Sequence, residues 1–482
     1  MATATQGVAI VVGSGPNGLA AAHVLNAAGY DVTVYEANDV LGGGAQASEP
    51  LIAGTVQDHC AAVHPLALVS PSLAEIAPEV RWARAPIECA HPLEGGGAAF
   101  LYQSVEMTAH DLGRGGGAWR RMFGHPSRRF DDLVQDLFAP PMHVPKHPFL
   151  FARFGLVAAT PPSVIARLLR TEAAGALYAG VAAHAFQPFS RPFSGAVAAA
   201  LLTAAHGVGW PVVVGGTSRL TDGIVASLRS RGVRFITGCR VRDRADLPPH
   251  DLLLLDVHPE QVEGIVGSAL PLRRRKRLRR FRSGPSAFKV DFVVDGGVPW
   301  EHAKVSRAGT VHVGGSASEI ARAERQIARG RMPDRPFVLV GQQDVADPGR
   351  RSGELAPVYA YAHVPHGYTG DATEAIIQQI ERFAPGFRQR IVAQRSHAPQ
   401  ALAGANANFV GGDILTGAKN VWQLLFGAAV PLSPYDVGIP GVYLCSAATP
   451  PGPGVHGMCG YNAAQHALTV VARARRRSSS SF

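Results

Sequence analysis

Closely spaced cysteines are missing from this chain of 482 residues. Cys60, Cys89, Cys239, Cys445 and Cys459 stand too far apart for a CxxC pair, a disulfide framework or a zinc ligand set, which excludes paired-thiol redox chemistry. Long apolar runs are missing as well. No uninterrupted stretch approaches the ~20 residues that cross a bilayer. The early run Val8 to Val12 has the length of a strand and feeds a glycine turn, unlike the charged, apolar, then small-residue layout of a secretory leader. A soluble, cytoplasmic protein is expected. Aromatic residues are sparse at 7%, and this bears on the net charge of +10. Much of that charge lies in Arg273 to Arg282, where Phe281 is the one aromatic among eight basic residues, and in Arg473, Arg475, Arg476 and Arg477. Nucleic-acid binding wants aromatics interleaved with charge and is set aside. The run reads as a solvated connector, or as a peripheral contact with an anionic membrane surface.

What is present begins with Val8 to Val12, followed by Gly13-Ser14-Gly15-Pro16-Asn17-Gly18, a helical pattern from Leu19 to Gly29, and a second apolar run from Asp31 to Glu36. This is a βαβ unit with a GxGxxG turn. Gly13 permits the tight turn, Gly15 lets backbone approach a pyrophosphate, and Gly18 lets helix pack on strand. Glu36, at the tip of the second strand, is placed to accept hydrogen bonds from both hydroxyls of an adenosine ribose and to repel a 2′-phosphate. The ligand expected is FAD or NAD rather than NADP.

Further on, Gly215 to Ile236 resumes the α/β pattern, and Asp251-Leu-Leu-Leu-Leu-Asp256 reads as a strand covered on both faces. Helical patterns with proline breaks fill residues 111 to 207. Trp82 to Glu88 and Ala98 to Leu101 read as a hairpin around Gly95-Gly96-Gly97. The runs Phe288 to Val294, Thr310 to Val313, Phe337 to Val340 and Val358 to His363, with a helix from Glu319 to Gly330, suggest a second, mixed sheet. Near the end, Val442 to Leu444 leads into Gly452, Gly454 and Gly457, a second GxGxxG. Its helix is expected only from about Ala463, too late for a second dinucleotide fold. A glycine loop feeding a helix start still suits a developing negative charge.

After Glu36 comes Ala37, then Leu41-Gly42-Gly43-Gly44-Ala45, which resembles the extended FAD fingerprint of phytoene desaturase and amine oxidase type flavoproteins. Thr310 to Gly315 with Glu319 and Ile320, Arg335 to Val340, Ala362 to Pro365, Gly411 to Ile414 and the closing loop likewise resemble the phytoene desaturase-related branch. Within that branch the chain is most similar to the group called pyridine nucleotide-disulfide oxidoreductase domain-containing protein two. Ser446 and Pro450 depart from residues that are often glycine and histidine there.

The resemblance implies an α/β fold: a Rossmann-like FAD-binding domain in three parts (1–80, 208–285, 411–474), a mixed-sheet substrate domain (81–110, 286–410), a helical subdomain (111–207) and a disordered tail (475–482). It implies FAD as cofactor, held by Gly13 to Gly18, Glu36, Ala37, Gly42 to Ala45, the backbone at Val241, Ser446, Ala447, Gly457 and Met458. His64, in the loop expected near the flavin ring, His456 and Tyr461 are the acid or base candidates. The expected activity is hydride transfer from an apolar, isoprenoid-like or lipid-like substrate to flavin, with oxygen or a quinone as electron acceptor. Isomerisation or saturation of a double bond, amine oxidation, and a binding or membrane-docking role with structural FAD remain alternatives.

Overall fold

The computed structural model describes residues 5–140, 142–418, 423, 428 and 434–479. A five-stranded parallel sheet has the spatial order Val442–Leu444, Leu252–Leu255, Val8–Val12, Asp31–Tyr35, Arg234–Ile236. Its central strand buries both faces, which is why it lacks apolar-polar alternation. Ala9 and Val11 pack toward the helices Pro16–Ala27, Ser218–Ser230 and Met458–Ser479. Ile10 and Val12 pack with Leu253 and Leu255 against Val262, Ile265 and Val266 of the helix Pro259–Val266. The chain leaves this sheet and returns to it twice.

The second sheet has seven strands, ordered Ile391–His397, Ser286–Asp295, Leu355–Val364, Val338–Gly341, Ala308–Val313, Ile87–Pro92, Ala98–Leu101. It is mixed: Ala308–Val313 runs parallel to Ile87–Pro92, and the other pairings are antiparallel. Phe288, Val290, Phe292 and Val294 point to one face, with Ile376, Ile377 and Ile380 of the helix Thr373–Glu381. Cys89, Leu101 and Leu339 belong to the other, against Leu177, Tyr178 and Val181 of the helix Glu172–Ala183. That contact seats the helical region, whose helices run from Val105–Asp111 to Ala196–Gly207, on the second sheet.

Four expectations change. The hairpin begins at Ile87, whereas Trp82–Ala83 pairs with Val212–Val213 in a separate two-stranded sheet. Ile391–His397 joins as an edge strand whose residues are alternately exposed, so its apolar signal is weak. The closing helix starts at Met458, directly after the loop, and extends through the expected tail as far as Ser479. Near its end Arg475 donates to the Gln6 carbonyl at 3.2 Å. This helix crosses the first one so closely that a Cβ on Gly460 would lie 1.7 Å from the Asn17 carbonyl oxygen. No disulfide joins the five cysteines; Cys459 donates to the Thr449 and Gly452 carbonyls.

Candidate active site

A cavity of about 730 Å³ runs from the first glycine turn, across the end of the parallel sheet, to the helical region. This volume lies within the range of small-molecule and cofactor sites. At the turn, Gly13 takes a φ of +99°, and a Cβ there would lie 2.5 Å from the Asp256 carbonyl oxygen. A Cβ on Gly18 would lie 2.0 Å from the Gly13 carbonyl oxygen, so the helix can start this close to the strand only with glycine. The helix N-terminus at Gly15 carries no side-chain cap, and Pro16 occupies its first turn, where its missing N–H costs nothing. An uncapped, glycine-cleared helix start on a cavity wall fits the diphosphate of a dinucleotide.

Glu36 is buried on the same wall. Its Oε2 accepts the Ser14 N–H at 2.9 Å and the Ser14 hydroxyl at 2.6 Å, and its Oε1 accepts the Asn38 N–H at 3.0 Å. The Ser14 oxygen accepts the Gly42 N–H at 3.1 Å, tying the two glycine segments together. A carboxylate offers about four acceptor positions, and the Ser14 hydroxyl can rotate away, so ribose hydroxyls fit here.

Gly13, Ser14, Gly15, Pro16, Asn17, Glu36, Ala37, Gly43, Gly44, Ala45, Val241 and Ala447 all line the cavity. Gly18, Gly42, Ser446, Gly457 and Met458 lie behind its wall. Gly42 abuts the Thr221 side chain, Gly457 abuts Ala20, and Met458 packs with Phe130 and Phe138. The Ser446 carbonyl accepts from the backbone and hydroxyl of Thr449. These five shape the cradle without touching its interior.

The three acid or base candidates separate. His64 lines the cavity, is buried, and is pushed down to about 4 by that burial, so it is neutral. Thr217 Oγ1 donates to the Ala61 carbonyl at 2.8 Å, which leaves His64 Nε2 to donate to Thr217 Oγ1 at 2.9 Å. Nδ1 is therefore an acceptor, and no protein group meets it. Thr217 is itself held by Asp58 Oδ1 at 2.7 Å, and Asp58 pairs with the fully buried Arg350 at 2.5 Å.

His456 also lines the cavity, but its Nδ1 is engaged. Nδ1 accepts the Met458 N–H at 3.0 Å, and the backbone of Gly452 and Pro453 lies close enough to the ring to favour its charged form against the burial that lowers its pKa. Through Nδ1 it clamps the closing loop. Tyr461 lies outside the cavity, half-buried between the first helix and the helical region, because the closing helix begins earlier than expected and turns it away.

Sequence reasoning missed Asp256. It ends the strand Leu252–Leu255 inside the cradle, where its Oδ2 accepts the Gly18 N–H at 2.9 Å. Burial pushes its carboxyl up to about 7, opposed by the Gly18 N–H and assisted by Glu36. A carboxyl that is partly protonated near pH 7 carries less than a full negative charge beside an anionic diphosphate. The signal was the acid closing a four-leucine buried strand. Also missed was the far half of the cavity, where Phe151, Phe154, Leu201, Trp210, Tyr359 and Tyr361 supply an aromatic and apolar wall. Among the described residues no group of His, Cys, Asp or Glu side chains is arranged to hold a metal ion.

Parallel sheet, glycine turn and strand-end carboxylate define a Rossmann-like dinucleotide-binding domain. Residues 11–75 match the family described as NAD(P)-binding Rossmann-like domain. The chain is 24% identical over 305 residues to pyridine nucleotide-disulfide oxidoreductase domain-containing protein 2 of Rattus norvegicus, covering 53% of this chain and 50% of that one. It thus spans about half the length of the curated relatives it matches. Among solved structures, an oxidoreductase from Methanosarcina mazei superposes with a TM-score of 0.61 at 14% identity, over 95% of this chain and 99% of that one. Putrescine oxidase bound to putrescine superposes with a TM-score of 0.58 at 17% identity, over 97% and 99%. At these identities the likeness is one of fold, and it extends over nearly the whole chain.

Proposed function

We propose that the protein is an FAD-dependent oxidoreductase that removes hydride from a carbon of an apolar, isoprenoid-like or lipid-like substrate. The observation that carries this reading is the continuity of one cavity from the glycine turn and Glu36 to the wall of Phe151, Phe154, Leu201 and Trp210. FAD, when bound, would supply the hydride acceptor, with oxygen or a quinone as the terminal oxidant. The chain's own part is placement. Gly13 to Asn17 receive the diphosphate, Glu36 the ribose, and Gly43 to Ala45 the stretch between cradle and ring. The aromatic wall excludes water and aligns the substrate. The proton lost when a double bond forms goes to water or to His64, whose neutral ring lines the cavity while its Nδ1, an acceptor with no protein partner, is buried beneath the surface.

One observation favours a second reading, amine oxidation. Tyr359 and Tyr361 line the cavity with rings 14° from parallel and centroids 6.4 Å apart, and aromatic faces attract cations. Against it, the Lys289 ammonium already lies 5.5 Å from the Tyr359 ring centroid, held by Asp291, and a second cation beside it is opposed. The apolar reading therefore leads.

The test is direct. Purified protein should show flavin absorbance, release FAD on denaturation, and bleach anaerobically with an apolar polyene or lipid but not with mono- or diamines. Bleaching by amines alone would transfer the assignment to the second reading. A colourless protein that takes up no FAD ends both, and FAD that no substrate bleaches would leave a binding protein with structural flavin.

A further inference from the structure

The helix Pro148–Ala159, Pro-Phe-Leu-Phe-Ala-Arg-Phe-Gly-Leu-Val-Ala-Ala, is apolar on every face but for Arg153, close to the pattern of a helix covered on every side. Only part of it is covered. Leu150, Phe154 and Ala158 are buried, and Phe151 and Phe154 line the cavity. The opposite stripe, Phe149, Ala152, Arg153 and Leu156 at i, i+3, i+4 and i+7, faces outward, with Phe149 92% and Leu156 73% exposed. Met142 and Val144 precede this stripe, and Val164 and Leu168 follow it on the helix Pro162–Leu168; all four are exposed. Of the twelve exposed large hydrophobic residues among those described, six fall in these 27 positions. Such concentration marks an interaction surface.

The charge of the same segment selects the partner. Between Met142 and Arg170 the sequence has Lys146, Arg153, Arg167 and Arg170 and no Asp or Glu. The preceding loop is held in place, because Asp136 accepts the backbone N–H of Lys146 at 2.8 Å and of His147 at 3.1 Å. The two helices are bent by 101° at their junction, and no single helix among the described residues is long and apolar enough to cross a membrane. Apolar side chains directed outward, accompanied along the segment by four cations and no acid, on short bent helices are the composition of an element that lies in a lipid–water interface. The arginine-rich helix Leu272–Leu278 differs. Arg274 pairs with Asp436, Arg275 and Arg279 pair with Glu263, and Leu272 is its one exposed large apolar residue.

We propose that residues 142–168 form a docking face for an anionic phospholipid bilayer, with Phe149 and Leu156 inserted among the acyl chains and Lys146 and Arg153 at the headgroups. The helix that rests on the lipid is also a wall of the cavity. The docking itself does not depend on the reaction.

The experiment is co-sedimentation of the full, flavin-loaded chain with vesicles of phosphatidylcholine, with and without phosphatidylglycerol. The wild type should partition onto the mixed vesicles. Phe149→Ser with Leu156→Ser should weaken that partitioning by at least about tenfold, since each removes a buried apolar side chain from the bound state. Lys146→Gln with Arg153→Gln should weaken it by about tenfold on the anionic vesicles only, and less so in high salt. Arg273→Gln with Arg280→Gln should leave it unchanged. The flavin spectrum and melting temperature report that each variant is folded. Failure of the wild type to bind either vesicle, or equal binding by wild type and the apolar variant, overturns the proposal. So does a dimer in sedimentation that the apolar variant abolishes while lipid stays unbound, because the face would then belong to a second copy.

Discussion

The chain contains the spacing GxGxxG twice, at Gly13 to Gly18 and at Gly452 to Gly457, each after a strand of the same parallel sheet and each before a helix. At the first, the helix start faces the cavity without a side-chain cap, and a buried carboxylate waits at the tip of the neighbouring strand. At the second, the first helical amide is taken by His456 within the loop, and Gly457 is pressed against Ala20. The first loop lends two of its amides, Ser14 and Gly18, to carboxylates on the cavity wall and turns its helix start to the cavity; the second is closed by its own histidine. Spacing alone does not make a phosphate site. What surrounds the donors does.

The largest expected effect breaks the first loop. Gly18→Ala puts a methyl group 2.0 Å from the Gly13 carbonyl oxygen, both on backbone that cannot yield, and should cost about 3 kcal/mol or more and abolish flavin retention, read by melting temperature and the ratio of visible to ultraviolet absorbance. Gly452→Ala, at a φ of +110° with nothing within 4 Å of the new atom, should cost only about 1–2 kcal/mol and keep the flavin. Equal effects would erase the distinction between the loops.

Glu36→Ala should leave the fold intact and weaken FAD binding by roughly 1.5–3 kcal/mol, about 10- to 150-fold, measured by flavin titration of the apoprotein. Asp256→Asn sharpens the account of the cradle. With its folded pKa raised to about 7 from an unfolded value near 4, Asp256 contributes its full stability only below pH 4, and loses it as pH rises through 7. The variant should therefore exceed wild type by about 1–3 kcal/mol at pH 8 and match it near pH 3.5, in denaturant titrations at both pH values. FAD affinity of wild type should fall over the same rise in pH, and that of the variant should not. The smallest effect belongs to the closing loop: His456→Ala removes the acceptor of the Met458 amide and should cost about 1 kcal/mol with the bound flavin spectrum retained, which a loss of flavin would contradict.

Much of the parallel sheet was legible because its strands are short apolar runs closed by turn residues. Val8 to Val12 has the expected limits, Asp31–Tyr35 stops one residue short of the expected Glu36, and Leu252–Leu255 stands beside the first strand as a doubly covered run should. The mixed sheet was legible except where a strand is polar, as in Ile391–His397, or where an apolar dipeptide such as Trp82–Ala83 pairs elsewhere. The closing helix was expected from about Ala463 and starts at Met458, so Gly460, a poor helix former, lies inside its first turn. Close packing against Asn17 requires a glycine there, and tertiary contact outweighs propensity. In the site, the glycines and Glu36 announced themselves by spacing. Asp256 and the aromatic wall did not, because nothing local to residues 151, 210 and 359 says that they meet.

The order of residues by itself determined the dinucleotide cradle, since a strand, a glycine turn, a helix and a carboxylate within some thirty positions are local in sequence and their geometry follows from backbone sterics and dipoles. Tertiary structure alone decided which glycine loop stays open, which histidine keeps a free nitrogen, and which side of the helix Pro148–Ala159 meets the cavity. Those outcomes depend on which groups the folded chain brings into contact, where burial and competition for hydrogen bonds, rather than local preference, set the balance.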